Sequence, residues 1–299
     1  MIHFNSSKIL IPVDFSETSL LAIKHAAYIS QKTNGHLYLL HVVNSHFMSQ
    51  NMFLPIVNLD QGQIETKAAD KLESLASGMR NDYNVKIDII IRTGSPSTEV
   101  VKVAKEIGAS LIIMGTHGYS PIQEIMIGSV ALKVITKSPA PTMVMRNEAA
   151  HKGYKKIILP IDNTVNSRQK VIFSLEFAKK FEAQVCAVAL LASDEEQDRP
   201  AMELVLHQIQ TLAKEKAVSF HSEVIMQVKN RATSTIDYTN RNGGDIVIIM
   251  TDQDAELSGF FLGPYSQQVI HLSKVPVIAI KPKDLFIDDI TYLAGTAGY

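Results

Sequence analysis

The chain has 299 residues, enough for about two domains, and its 46% hydrophobic content suits a packed core. Lys plus Arg (29) nearly balances Asp plus Glu (30), so no net charge drives binding to nucleic acid or to an acidic membrane surface. One cysteine excludes an internal disulfide framework, and no apolar run approaches the ~20 residues of a membrane span. The first eight residues hold no apolar stretch of signal-peptide length, so a soluble cytoplasmic protein is expected.

The first predicted strand is Lys8-Ile-Leu-Ile-Pro-Val-Asp14, whose continuous apolarity suits a parallel strand covered on both faces. Phe15-Ser-Glu-Thr18 then signals a helix start with Ser16 as N-cap, and the helix fades at Asn34-Gly35. Residues 36–43 form a second strand. Residues 44–63 read as a long excursion over the sheet edge or a partner surface, with Phe47, Met48, Met52, Phe53, Leu54 and Ile56 scattered through it. A helix is expected over 64–80 and a third strand over 85–91. Gly94-Ser-Pro-Ser-Thr98 opens a helix that Gly108 ends. Residues 111–114 give a fourth strand, a glycine-containing loop leads to a helix through Val130, Val134 and Ile135, and 141–145 give a fifth strand. This alternation demands a mainly parallel, doubly wound α/β sheet.

The pattern then restarts. Lys156-Ile-Ile-Leu-Pro-Ile-Asp162 repeats residues 8–14 almost letter for letter. Residues 244–250 repeat 109–115, with the two following loops aligned on Met114 and Met250, and 273–280 repeat 138–145. The chain is a tandem duplication: residues 1–147, a short polar linker, residues 152–283, and a tail over 284–299 with a small apolar patch (Leu285, Phe286, Ile287, Ile290, Tyr292, Leu293).

The loop after the fourth strand concentrates the chemistry: Gly115-Thr-His-Gly118, then Gly128-Ser129 opening a helix. Glycines between a buried strand and a helix start let the backbone approach a ligand and aim N–H groups at an anion. Ser129 can cap the helix or give its hydroxyl to a phosphate.

These residues, with Pro12-Val-Asp14-Phe-Ser at the end of the first strand, resemble the universal stress protein family in its tandem two-domain form. The first copy is similar to the ATP-binding branch, whose signature of Gly, two residues, Gly, nine residues, Gly-Ser/Thr is met at Gly115, Gly118, Gly128 and Ser129. The resemblance implies two Rossmann-like (adenine nucleotide alpha hydrolase-like) five-stranded domains, related as a fused homodimer whose fifth strands pair across a pseudo-two-fold axis; a homodimer of the chain is a further option. It implies that Pro12, Val13 and Asp14 hold the adenine or ribose side, with Val42 pairing its backbone with adenine. Met114 and Gly115 would line the ribose, and Gly118, Gly128, Ser129 and Val130 would hold phosphates. The implied ligand is ATP, or ADP or AMP, with Mg²⁺ able to arrive on the nucleotide. The implied output is a nucleotide-responsive change in stress regulation, with at most slow hydrolysis, because no Walker lysine, positioned base or metal carboxylate pair is visible. The alternatives are a ligand-independent interaction or scaffold protein with an unused loop, or a slow nucleotide hydrolase.

The second copy departs. Its loop reads Thr251-Asp-Gln-Asp254, then Gly259 and Gly263-Pro264-Tyr265. Pro264 removes a hydroxyl and an N–H, and Asp252 and Asp254 would repel phosphate. This half is expected not to bind ATP in the same way. Several other residues carry plainer readings. Asp14 recurs as Asp162, which gives it a structural share as a helix-capping residue. His117 reads as a solvent-exposed loop residue, His25 and His41 as core or edge polar groups, Glu124 as solvated, and Cys186 as buried packing. No histidine or cysteine pair has metal-ligand spacing.

Overall fold

The computed structural model describes residues 2–44, 61–116, 127–149, 153–251 and 262–283. The expected excursion (beyond its two ends), His117, Gly118, Glu124, most of the second loop and the tail lie outside the described residues. Contacts divide the chain into two units, Asn5–Asn147 and the residues from Glu148 onward joined by the first four.

Among the described residues the first unit alternates β1 (Lys8–Pro12), α1 (Glu17–Thr33), β2 (His36–Asn44), α2 (Gln61–Tyr83), β3 (Lys86–Gly94), α3 (Pro96–Ile107), β4 (Leu111–Gly115), α4 (Ser129–Lys137) and β5 (Thr142–Met145). Neighbouring strands are parallel throughout, in the order β3-β2-β1-β4-β5. Right-handed crossovers put α1 and α2, which touch, on one face and α3 and α4, which also touch, on the other. Covered on both sides, Ile9, Leu10 and Ile11 are wholly buried, the physical reason for the unbroken apolar run. Asn34 ends α1 in the left-handed region (φ 57°). A Cβ at Gly35 would lie 2.1 Å from the Ser6 carbonyl oxygen, so only glycine fits between that cap and β2.

The second unit repeats this plan: β6 (Lys156–Ile161), α5 (Val165–Phe181), β7 (Gln184–Leu190), a 3-10 turn (Ser193–Asp198), α6 (Arg199–Glu215), β8 (Phe220–Ile225), α7 (Arg231–Asn242), β9 (Ile246–Met250), α8 (Pro264–Leu272) and β10 (Val277–Ile280). Its parallel order is β8-β7-β6-β9-β10. The repetition extends to single bonds. Lys8 Nζ donates to the Ile107 carbonyl (2.8 Å) and Lys156 Nζ to that of Asn242 (2.9 Å).

Strand register fixes which residues correspond. Ile9 pairs with Leu111 and Ile157 with Ile246, so Met250 corresponds to Gly115. Alignment on the methionines is therefore off by one, and Thr251 is the counterpart of Thr116. Both threonine N–H groups donate to the last strand, at the carbonyls of Met145 and Ile280 (each 2.9 Å).

Ile2–Phe4, expected with the first copy, instead packs on the second. The Phe4 ring meets Phe173 and Phe177 edge-on at 5.3 and 5.0 Å, while its N–H and the His3 ring bind the Glu176 carboxylate, each at 2.9 Å. Aromatic burial with a carboxylate clamp outweighs proximity in sequence. Cys186 is a buried free thiol in β7 whose pKa burial raises, in keeping with packing.

One buried group in α5 has no counterpart. Lys170 is wholly inaccessible and stands where α1 has Ala22; its ammonium donates to the Ser167 hydroxyl (2.8 Å) and carbonyl (3.1 Å). Burial pulls its pKa down to about 8, with the Asp162 charge opposing. The unfolded chain, with an ordinary lysine near 10.5, holds the proton more tightly. The charge therefore costs stability in full below pH 8, and that cost fades between about pH 8 and 10.5, by about 1.4 kcal/mol for each pH step of one. Lys170→Met is expected to raise the urea midpoint at pH 7 and to remove this alkaline rise. Parallel pH profiles for variant and parent would show that the amine is not the cause.

Candidate functional site

The carboxyl ends of β1 and β4 lie where the strand order reverses, the position at which open α/β sheets form a crevice. A cavity of about 440 Å³ opens there. Its lining includes Pro12, Val13, Asp14, Val42, Met114, Gly115, Gly128, Ser129 and Val130, every site residue inferred from sequence except Gly118. Reasoning from sequence missed Ser19, Leu40, Asn44, Pro96, Val100, Thr116 and Ala131, which complete the wall, and read Ser16 only as a cap. Pro96 and Val100 come from α3, whose Gly94-Ser-Pro start marked a helix but not a wall.

Asp14 is exposed and sits just past β1. Its Oδ1 accepts from the Ser16 N–H (3.0 Å) and hydroxyl (2.5 Å), and the Ser16 hydroxyl in turn accepts from the Ser19 N–H (3.3 Å) to cap α1. Asp162 and Thr164 reproduce this arrangement at 2.8 and 2.5 Å, and Thr164 caps α5 through the Ser167 N–H (3.1 Å). One oxygen of Asp14 is thus committed to the turn, and the cap itself is Ser16. Between them Phe15 adopts φ 65°, unusual for a residue with a Cβ. Its ring lies 4.8 Å from that of His41, with Lys71 Nζ 4.2 Å over its face.

The Val13 backbone is engaged within the chain. Its N–H donates to the Leu40 carbonyl (2.8 Å), and its carbonyl pairs with His41 Nδ1 (2.7 Å). Val13 therefore gives the cavity its side chain, not a free peptide. Val42 differs. The Leu40 carbonyl faces β1, and peptide groups along a strand alternate in direction, so those of Val42 face the same side. The last β1–β2 pair is Pro12 with Leu40, so β1 has left the sheet where Val42 needs a partner.

At the opposite wall the Gly128 N–H donates back to the Thr116 carbonyl (3.0 Å), and Gly128 is the N-cap of α4, with no side-chain cap bond. Ser129 is thus the first helical residue, not the cap, and Gly128 contributes no free N–H. The first intrahelical bond runs from Leu132 to Gly128 (3.0 Å), which leaves the N–H groups of Ser129, Val130 and Ala131 at the positive end of the helix dipole. Asp14 is the one charged side chain among the described lining residues. No group of three or more potential metal ligands occurs among the described residues.

The universal stress protein family model matches residues 5–146 and 153–281. The chain belongs to the universal stress protein family. Universal stress protein MJ0577 of Methanocaldococcus jannaschii is 32% identical over 155 residues, covering 47% of this chain and 95% of the relative. Universal stress protein YxiE of Bacillus subtilis is 30% identical over 146 residues, covering 47% and 99%. These relatives each have the length of one copy. A universal stress protein structure from Archaeoglobus fulgidus covers 95% of this chain and 99% of its own, with 17% identity and a TM-score of 0.73, so the fold recurs. No helix among the described residues is long and apolar enough to cross a membrane.

The matched caps of this universal stress protein generate a paired test. Ser16→Ala and Thr164→Ala each remove a cap and an aspartate partner in the same geometry, so each is expected to cost about 1 kcal/mol. Urea unfolding measures both; a cost confined to one of them would contradict a shared structural role.

Proposed function

We propose that the first copy binds an adenine nucleotide, ATP or its di- or monophosphate, and that the protein is a nucleotide-responsive regulator of a stress response in the cytoplasm. The observation that carries this reading is the meeting in one cavity of three helix N–H groups with the strand-edge peptide of Val42, none of them paired among the described residues. The helix end suits phosphate. The Val42 peptide, one donor beside one acceptor, suits the edge of an adenine, and Val13, Leu40, Pro96 and Val100 give apolar walls for its faces. Asp14 keeps one carboxylate oxygen for a ribose hydroxyl or for Mg²⁺ carried by the nucleotide. Met114 and Gly115 lie between the two ends in the chain, and Gly118 lies outside the described residues. A volume of about 440 Å³ falls in the range of small-molecule sites.

Turnover is expected to be slow. The described lining holds no lysine, arginine or histidine to stabilise a transferring phosphoryl group. A regulator that changes conformation or partners on binding fits better than an enzyme. The competing reading is a scaffold that inherits the cavity without using it.

Ser129→Pro tests the proposal without endangering the fold, because the second copy already carries Pro264 at that helical position. The change deletes one N–H and one hydroxyl. By calorimetry the variant is expected to bind ATP roughly ten- to a hundredfold more weakly than the parent, at unchanged stability. Absence of binding by ligand-stripped parent protein at millimolar ATP would support the scaffold instead, and equal affinity in the two proteins would remove α4 from the site.

A further inference from the structure

The corresponding place in the second copy is filled in its deep part. Counterparts follow from strand register and from helices of equal length: α1 and α5 have 17 residues each, and α3 and α7 have 12 each, both ending on a glycine with φ 63°. Val42 thus corresponds to Leu190, Pro96 to Arg231, Val100 to Thr235, Val130 to Tyr265 and Gly115 to Met250. Most of these positions have gained bulk or a polar group. Arg231 Nε donates to the Leu190 carbonyl (3.2 Å), the group equivalent to the unpaired strand-edge carbonyl of Val42. Its Nη2 binds both oxygens of Glu195, and Glu195 Oε2 accepts from the Ala192 N–H (2.8 Å). The Tyr265 hydroxyl bonds that of Thr235 (3.0 Å) across the space between two valines in the first copy.

What remains is a hollow of about 390 Å³ lined by Asp162, Thr164, Arg231, Tyr265 and their neighbours. None of its lining residues belongs to β6, β7 or β9, whereas the first cavity reaches Leu40 and Val42 on β2 and Met114 on β4. The deep part is cut off.

We propose that the second copy carries its own occupant: the Arg231 guanidinium, latched by Glu195, together with the Tyr265 ring, takes the place that a purine takes in the first. A planar group with N–H donors against a strand-edge carbonyl does here what the edge of an adenine does there. Each chain therefore takes up one nucleoside, and Pro96 and Val130 are the specificity-determining residues that keep the first place open. The stoichiometry rests on the nucleotide-binding reading of the first copy; the occlusion of the second does not.

The test adds to the full chain the first copy's own residues, Arg231→Pro with Tyr265→Val. Proline suits this first helical position, because Asn230 before it is extended (φ −142°, ψ 113°). The probe is adenosine at millimolar concentration in equilibrium dialysis, since Pro264 leaves the second copy without a full phosphate end. The parent is expected to take up one adenosine per chain and the double variant two, with excess ATP displacing only the first. A folded double variant that takes up no more than the parent overturns the proposal, as does a parent that takes up two. A parent that takes up none beside a variant that takes up one removes the reading of the first copy and leaves the occlusion standing. Should the double variant not fold, Arg231→Ala carries the same comparison, because its side chain is 43% exposed and its loss leaves no buried charge unpaired.

Discussion

A parallel sheet cannot satisfy its own carboxyl edge. Each strand that turns away into a crossover helix strands the next peptide of its neighbour, and each helix begins with N–H groups that no earlier turn can accept. In the first copy these two shortfalls face each other: Val42 loses its partner where β1 ends, and Ser129, Val130 and Ala131 start α4 across the gap. Unpaired backbone groups away from water cost free energy, so something must come to them. Water, a ligand or a side chain can serve. The two copies meet the same demand differently, the first with a cavity and the second with Arg231 against Leu190.

The duplication acts as an internal control on which residues serve the fold. Asp14 with Ser16, and Asp162 with Thr164, make the same turn at nearly the same distances, so that aspartate is required wherever this strand meets this helix. The N-cap glycine behaves likewise: the Gly128 and Gly263 N–H groups both return to a threonine carbonyl, at 3.0 and 3.3 Å. Neither feature distinguishes the two copies. The distinction lies at the residues that differ, among them Gly115 against Met250, Pro96 against Arg231 and Ser129 against Pro264.

Much of this was legible in the chain because the signals are local. Continuous apolar runs such as Ile9–Ile11, the Ser16 cap and the Gly108 stop report on their own neighbourhoods, and the glycine spacing brought Gly115 and Gly128 to one wall. What escaped depends on direction and on distant partners. Whether Val13 or Val42 offers a free peptide is a matter of strand phase, which Leu40 and His41 decide and no motif records. Lys170 reads as an ordinary helix lysine until α5 is seen to bury that face. Pro96 and Val100 look like the start of any helix, since only the crossover from β3 to β4 carries them to the cavity.

Arg231 shows why such a residue is hard to recognise. Arginine opening a helix after an asparagine cap is unremarkable in sequence, and its ion pair with Glu195, 43% and 30% exposed, would add little stability by itself. Its consequence comes from geometry: the guanidinium reaches the strand-edge carbonyl of Leu190. Once that carbonyl is satisfied within the chain, it is no longer an acceptor open to a ligand, whatever residue begins the helix at Pro264.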